Sequence, residues 1–119
     1  MIAVGTDILK IERIDEVGTW LGDRCVQRIL TPDERVEYQQ SAQANRLLAK
    51  RFAAKEAIAK ALGTGIGRGV SWQDIQVYHD ANGAPLLRLA GGALQAASKR
   101  GVSRVELRMG DEMEFVKAF

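Results

Sequence analysis

The chain has 119 residues, 46% of them hydrophobic and 27% charged, with a formal net charge of +2. That balance suits one globular domain spanning residues 1–119 and excludes a disordered chain, a collagen-like repeat or a disulfide-dense scaffold. One cysteine, Cys25, and one histidine, His79, rule out a disulfide framework and a Cys/His zinc site within the chain. Any metal should therefore be held by carboxylates, which favours a hard ion such as magnesium. A Ser-His-Asp triad would have to use His79, which lies in a strand-like stretch with no nucleophile motif nearby. No apolar run approaches the ~20 residues of a membrane span. The start of the chain has no basic region ahead of an apolar stretch, so a cytoplasmic protein without a secretory signal is expected. Aromatic residues make up only 6%, and no basic stripe alternates with stacking residues, which argues against nucleic acid as partner.

In chain order, Ile2 to Asp7 reads as a short strand ending in Gly-Thr-Asp. Ile11, Ile14, Val17 and Leu21 recur at helical spacing, and Val26, Ile29 and Leu30 suggest a further short helix. Thr31-Pro32-Asp33-Glu34 is a helix start: Thr31 caps, Pro32 suits the first helical position and Glu34 closes a capping box. That helix is expected to end near Ser41. Asn45 to Leu62 is the longest helical segment, free of Gly and Pro and stopped by Gly63. Its apolar positions cover so much of the circumference that it should be central rather than superficial. A glycine-rich loop, 63–69, follows. Then come a strand at 75–79, a hairpin signal at Asn82-Gly83 and a returning strand from Pro85 to Leu89. Gly92 to Arg100 reads as a helix stopped by Gly101, and Val102 to Met109 and Met113 to Phe119 as two last strands. The order implies an α+β domain whose antiparallel sheet packs around the long helix.

The long helix also carries the charges that could do chemistry. Arg46, Lys50, Arg51, Lys55 and Lys60 are basic, and Glu56 is the only acid among them. Arg51 and Lys55 fall close to the apolar stripe. The plainest reading is that their stems lie on the core while their heads snorkel to water; the functional one is that they line a cleft for an anion. Glu56 and Lys60, four apart, face the same way beside Ala49, Ala53 and Ala57, small residues that permit close approach. Asp7 is either a helix cap or, if it meets Glu56 in space, half of a two-carboxylate magnesium site completed by phosphate oxygens and water. The glycine loop lacks the Walker and Rossmann spacings and follows a helix C-terminus, whose partial negative charge repels phosphate. Its glycines point instead to unusual backbone turns or close approach to a ligand.

Several blocks together resemble the holo-acyl-carrier-protein synthase family of 4′-phosphopantetheinyl transferases. They are Gly5-Thr6-Asp7-Ile8 with Ile11-Glu12-Arg13-Ile14, then Arg28-Ile29-Leu30-Thr31 with Glu34. The most specific is Lys50-Arg51-Phe52-Ala53-Ala54-Lys55-Glu56-Ala57 followed by Lys60-Ala61-Leu62-Gly63-Thr64-Gly65-Ile66; Asp74-Ile75 and Asn82-Gly83 with Pro85 continue the pattern. The likeness runs from residue 1 to about residue 90. It implies transfer of 4′-phosphopantetheine from coenzyme A to a serine of apo acyl carrier protein, with magnesium bridging the pyrophosphate and adenosine 3′,5′-bisphosphate released. By position it implies Asp7 and Glu56 as metal ligands and Lys60 beside the pyrophosphate. Arg51 and the loop residues Gly63, Thr64, Gly65 and Gly67 would hold coenzyme A. Arg13, Arg24 and Arg28 would face the acidic carrier protein, as steering groups. It further implies a homotrimer with active sites between subunits. A water ordered by the metal near Glu56 is the preferred acceptor of the serine proton.

The C-terminal stretch departs from the family pattern. Arg108 and Gly110 stand where serines are expected, and the chain stops early, which puts the pairing of the last strand in question and should weaken the trimer contacts. This departure is the only support for an alternative, a catalytically impaired relative that binds carrier protein or coenzyme A.

Overall fold

The computed structural model describes residues 2–5, 23–109 and 114–118. Its elements are β1 (Ile2–Gly5), α1 (Asp23–Ile29), α2 (Pro32–Gln40), α3 (Ala44–Ala61), a 3-10 turn (Trp72–Asp74), β2 (Ile75–His79), β3 (Pro85–Leu89), α4 (Gly91–Lys99), β4 (Val105–Met109) and β5 (Glu114–Ala118). The α+β architecture expected from the sequence is present. The helix expected around Ile11 to Leu21 lies outside the described residues.

The antiparallel strands form two sheets rather than one, β1-β5-β4 and β2-β3. β3 and β4 are neighbours, but no ladder joins them. In the larger sheet β5 is the central strand, running from Ile2↔Lys117 to Gly5↔Glu114 on one side and from Val105↔Ala118 to Met109↔Glu114 on the other. The pairing of this last strand, which the C-terminal departure puts in question, is present on both of its sides. Ladder bonds come from the backbone, so the changed side chain at Arg108 leaves them intact.

α3 is the axis of the fold. Ten of its 18 residues are buried, on most of its circumference, which makes it central as expected. Ala54, Ala57, Ile58 and Ala61 pack with Val70, Ile75, Val77, Ala93 and Leu107 in one cluster. Leu48 and Ala49 pack with Val26, Ile29 and Leu30 of the α1 segment in another. Beside the second cluster the Phe52 and Trp72 rings stack at 5.0 Å. The helix ends in a Schellman turn: Gly63 takes φ +82°, its N–H bonds Lys60 O and the Thr64 N–H bonds Ala59 O.

The capping box at the start of α2 forms as its sequence predicts. Thr31 N–H donates to Glu34 Oε1 at 2.8 Å, and Glu34 N–H donates to Thr31 Oγ1 at 3.3 Å. The same carboxylate does more. Lys55 Nζ donates to Glu34 Oε1 at 2.6 Å, Val77 N–H donates to Oε2 at 3.0 Å, and Arg51 Nε lies 3.7 Å from Oε2. Lys55 also donates to the carbonyls of Ile29 at 2.6 Å and Trp72 at 3.1 Å, which accounts for all three of its ammonium protons. Lys55 is 0% exposed and Arg51 3%. Snorkelling is therefore ruled out for both: the heads stay inside because a buried carboxylate and backbone carbonyls receive them, the condition under which interior charge is tolerated.

Burial pushes the Lys55 ammonium below its usual pKa, with Glu34 opposing that shift and Arg51 adding to it. Replacing Lys55 by methionine leaves the Glu34 carboxylate buried without its main partner. Lys55→Met should lower unfolding free energy by about 3–5 kcal/mol, the usual consequence of breaking a buried pair from one side. Urea denaturation followed by circular dichroism measures this.

Candidate active site

α3 carries charged residues along its whole length. Arg46, Lys50 and Arg51 lie on its first half and Glu56 and Lys60 on its second. Nine residues separate Arg51 from Lys60, about 14 Å of helix rise. Nine residues at about 3.6 per turn also make about two and a half turns, which sets Arg51 and Lys60 on opposite sides of α3: one is buried and the other exposed, and they share no face.

Glu56 is half-buried and Lys60, one turn on, is exposed. Ala49, Ala53 and Ala57 are buried, so the close approach that their small side chains permit is taken up by the protein's own packing. β1 packs against α3 and ends at Gly5, two residues short of Asp7. Asp7 and Arg13 lie outside the described residues. Among the described residues no three metal-ligating side chains cluster.

On the first half of α3 a cavity of about 360 Å³ is lined by Arg46, Lys50, Arg51, His79, Gly83 and Pro85 among others. The β2–β3 hairpin closes one side of it. Its turn is built by Asp80, whose carboxylate accepts from the N–H groups of Asn82 and Ala84, while Gly83 takes φ +84°. Arg51 borders this cavity but is partnered by acids: its Nη2 donates to Glu37 Oε2 at 3.0 Å, beside the contact to Glu34. Its guanidinium contributes positive potential to the cavity while its position is set from behind. Burial, and then the Arg51 charge, push the His79 pKa below 6.5, against smaller raising effects of Glu37 and Asp80.

In the glycine-rich stretch, Gly63, Gly65, Gly67 and Gly69 all have positive φ, as the sequence suggests for a loop of unusual turns. A Cβ on Gly63 would collide with the Arg100 guanidinium. A second cavity, of about 420 Å³, runs beside this loop and is lined by Gly63, Thr64, Arg68, Lys99 and Arg100 among others. On α1, Arg24 and Arg28 are exposed and four residues apart, so they share a face.

Sequence reasoning did not assign Arg46, Lys50 or His79 to a site, nor recognise Glu34 as the buried partner of Arg51 and Lys55. A usable signal existed for Glu34. Two cations at core-facing positions of one helix require a buried acid, and Glu34 is an acid fixed in a cap beside an apolar segment.

Residues 3–116 match the 4′-phosphopantetheinyl transferase superfamily. The chain is 57% identical over 105 residues to a holo-[acyl-carrier-protein] synthase of Shewanella frigidimarina, covering 85% of this chain and 83% of that one. Its fold is similar to the crystal structure of holo-[acyl-carrier-protein] synthase from Neisseria meningitidis, with a TM-score of 0.87 and 42% identity over 100% of this chain and 99% of that one. It is also similar to the Helicobacter pylori enzyme crystallised in complex with coenzyme A, with a TM-score of 0.79 and 26% identity over 100% of both chains. The chain belongs to the 4′-phosphopantetheinyl transferase superfamily, and the likeness extends past residue 90 through the C-terminal strands.

Because the folded His79 pKa is depressed, the folded state resists protonation there. Its stabilising contribution is full above pH 6.5 and is lost as the pH falls through the folded value. An NMR titration of the imidazole Cε1–H should give a midpoint below 6.5, moving up in Arg51→Gln.

Proposed function

We infer that the protein transfers 4′-phosphopantetheine from coenzyme A to a serine of an apo acyl carrier protein, releasing adenosine 3′,5′-bisphosphate. The observation that carries this is the family match over residues 3–116, which takes in the α3 segment bearing Glu56 and Lys60.

We assign roles to individual residues from the family likeness and from the chemistry of their side chains. The exposed Lys60 ammonium offers a point charge to the pyrophosphate from the last turn of α3. Arg46, Lys50 and Arg51 supply positive potential to the cavity beside the first half of α3, which suits an anionic group such as a further phosphate. The open turns at Gly65 and Gly67, and the cavity beside Gly63 and Thr64, offer space for the donor near the C-terminus of α3. The carboxylates of Glu56 and Asp7 are hard oxygen donors of the kind magnesium takes, and we assign the metal to them. When bound, magnesium offsets the charge of the pyrophosphate and of the departing phosphate. As the carrier serine attacks phosphorus, its hydroxyl proton passes to a water that Glu56 orients. Arg24 and Arg28, with Arg13, present positive charge to the acidic carrier and steer its approach.

We further propose a homotrimer with its active sites between subunits, in a cytoplasmic enzyme. The family likeness supports the assembly, as does a groove of about 740 Å³ between β3 and β4, lined by the apolar Leu86, Leu87 and Val105 and the charged Arg104, Glu106 and Arg108, which a second copy would cover. No helix among the described residues is long and apolar enough to cross a membrane.

Incubation with coenzyme A, magnesium and apo acyl carrier protein should add one phosphopantetheine to the carrier by mass spectrometry, and chelation should stop it. Glu56→Gln should lower turnover by about a hundredfold or more, the scale set by losing a group that positions a proton transfer. Full activity in that variant would remove both roles given to Glu56.

A further inference from the structure

The end of α1 is held in an unusual way. Four consecutive carbonyls, those of Gln27, Arg28, Ile29 and Leu30, are all taken by side chains from elsewhere in the chain. Gln73 Nε2 lies 2.9 Å from Gln27 O, 3.2 Å from Arg28 O and 2.8 Å from Leu30 O, so its two protons are shared among three acceptors. Lys55 Nζ takes the fourth, Ile29 O, at 2.6 Å. Three surrounding oxygens leave no doubt which end of the Gln73 amide faces them, since its own oxygen there would be repelled. The last carbonyls of a helix have no partner within it and carry its negative end, so donors at this point hold the helix in place.

The platform behind Gln73 is rigid. Its 3-10 turn is closed by a capping box: Gln73 N–H donates to Ser71 Oγ, and Ser71 N–H donates to Asp74 Oδ2. Trp72 O receives Lys55, the Trp72 ring stacks on Phe52 of α3, and Asp74 O receives the Ala90 N–H. The turn is thus joined to the helix that carries Glu56. Gln73 itself is exposed, so the fold does not depend on its side chain for core packing. α1 has only seven residues, too few to hold a direction by its own hydrogen bonds.

We propose that Gln73, together with Lys55, is a positioning residue for the carrier-protein surface. By taking the four terminal carbonyls of the α1 segment, the two side chains fix the direction in which Arg24 and Arg28 are presented relative to Glu56. The proposal rests on the reading of Arg24 and Arg28 as groups that meet an acidic carrier. Gln73 acts through them and touches no substrate.

The test uses Gln73→Met, which keeps the length of the side chain and removes its donors, and Gln73→Glu, which sets a carboxylate against the carbonyls. Steady-state transfer is measured with apo carrier and coenzyme A varied separately, in the native background and in Arg24→Ala/Arg28→Ala. Gln73→Met should raise the KM for carrier about three- to tenfold, in the lower part of the range of coupling between groups that act together, with kcat and the KM for coenzyme A within about twofold. Gln73→Glu should raise it further. In the Arg24→Ala/Arg28→Ala background Gln73→Met should add almost nothing. Hydrogen exchange gives a readout independent of turnover: the Leu30 amide, bonded to Val26 O, should exchange faster in Gln73→Met. An unchanged carrier KM in Gln73→Met, where Arg24→Ala/Arg28→Ala raises it, overturns the positioning role alone. So do equal effects in both backgrounds, or a rise shared by both substrates. An unchanged carrier KM in Arg24→Ala/Arg28→Ala overturns the reading of α1 as the carrier surface, and the proposal falls with it.

Discussion

The buried pair of Lys55 and Glu34 is the constraint on which the rest of the structure depends. One carboxylate and one ammonium, both out of water, join five pieces of chain: the end of α1, the start of α2, the middle of α3, the 3-10 turn and β2. Every ammonium proton is used, and both carboxylate oxygens accept backbone N–H groups. A charge pair so placed adds little net stability over well-packed apolar groups. What it contributes is uniqueness, because any other arrangement of these five segments would strand a charge in the core.

That constraint reaches the candidate active site through adjacency. Glu56 follows Lys55 directly, so the network that fixes Lys55 also fixes the axial position and rotation of α3 at Glu56. Arg51, one turn earlier, is held by Glu34 and Glu37 and faces the basic cavity beside the hairpin. Two acids of α2 thus decide where this buried cation stands beside the cavity. The Schellman turn at Gly63 then stops the helix one residue short of the glycine-rich loop and lets Lys60 stand in its last turn. Charge, helix end and loop are successive consequences of one packed helix.

Much of this was legible in the residues. The capping box at Thr31, the length of α3, its stop at Gly63, the Asn82-Gly83 hairpin and the last two strands follow from local rules of capping, periodicity and turn chemistry. The family blocks pointed to Glu56 and Lys60 and to the reaction. The burial of Arg51 and Lys55 was not legible. Helical spacing shows that a charge lies near an apolar stripe, but only the approach of Glu34, 21 residues away in sequence from Lys55, decides whether it faces water or core. The 3-10 turn at Trp72–Asp74 was missed because three residues are too few to show periodicity. The reach of Gln73 to α1, across more than 40 residues, leaves no trace in local pattern.

The amino-acid sequence by itself determined most of the element types and ends among the described residues, the family and the chemistry that the family performs. These depend on backbone preferences and side-chain identities that act over a few residues, or on motifs whose order and spacing survive without coordinates. Tertiary structure alone decided which charges are buried, which carbonyls receive them, that the strands divide into two sheets, and that β5 lies between β1 and β4. The physical reason is the same in each case. Burial and partner choice depend on segments far apart in the chain meeting in space, and electrostatic interactions take their sign and size from that meeting rather than from sequence separation.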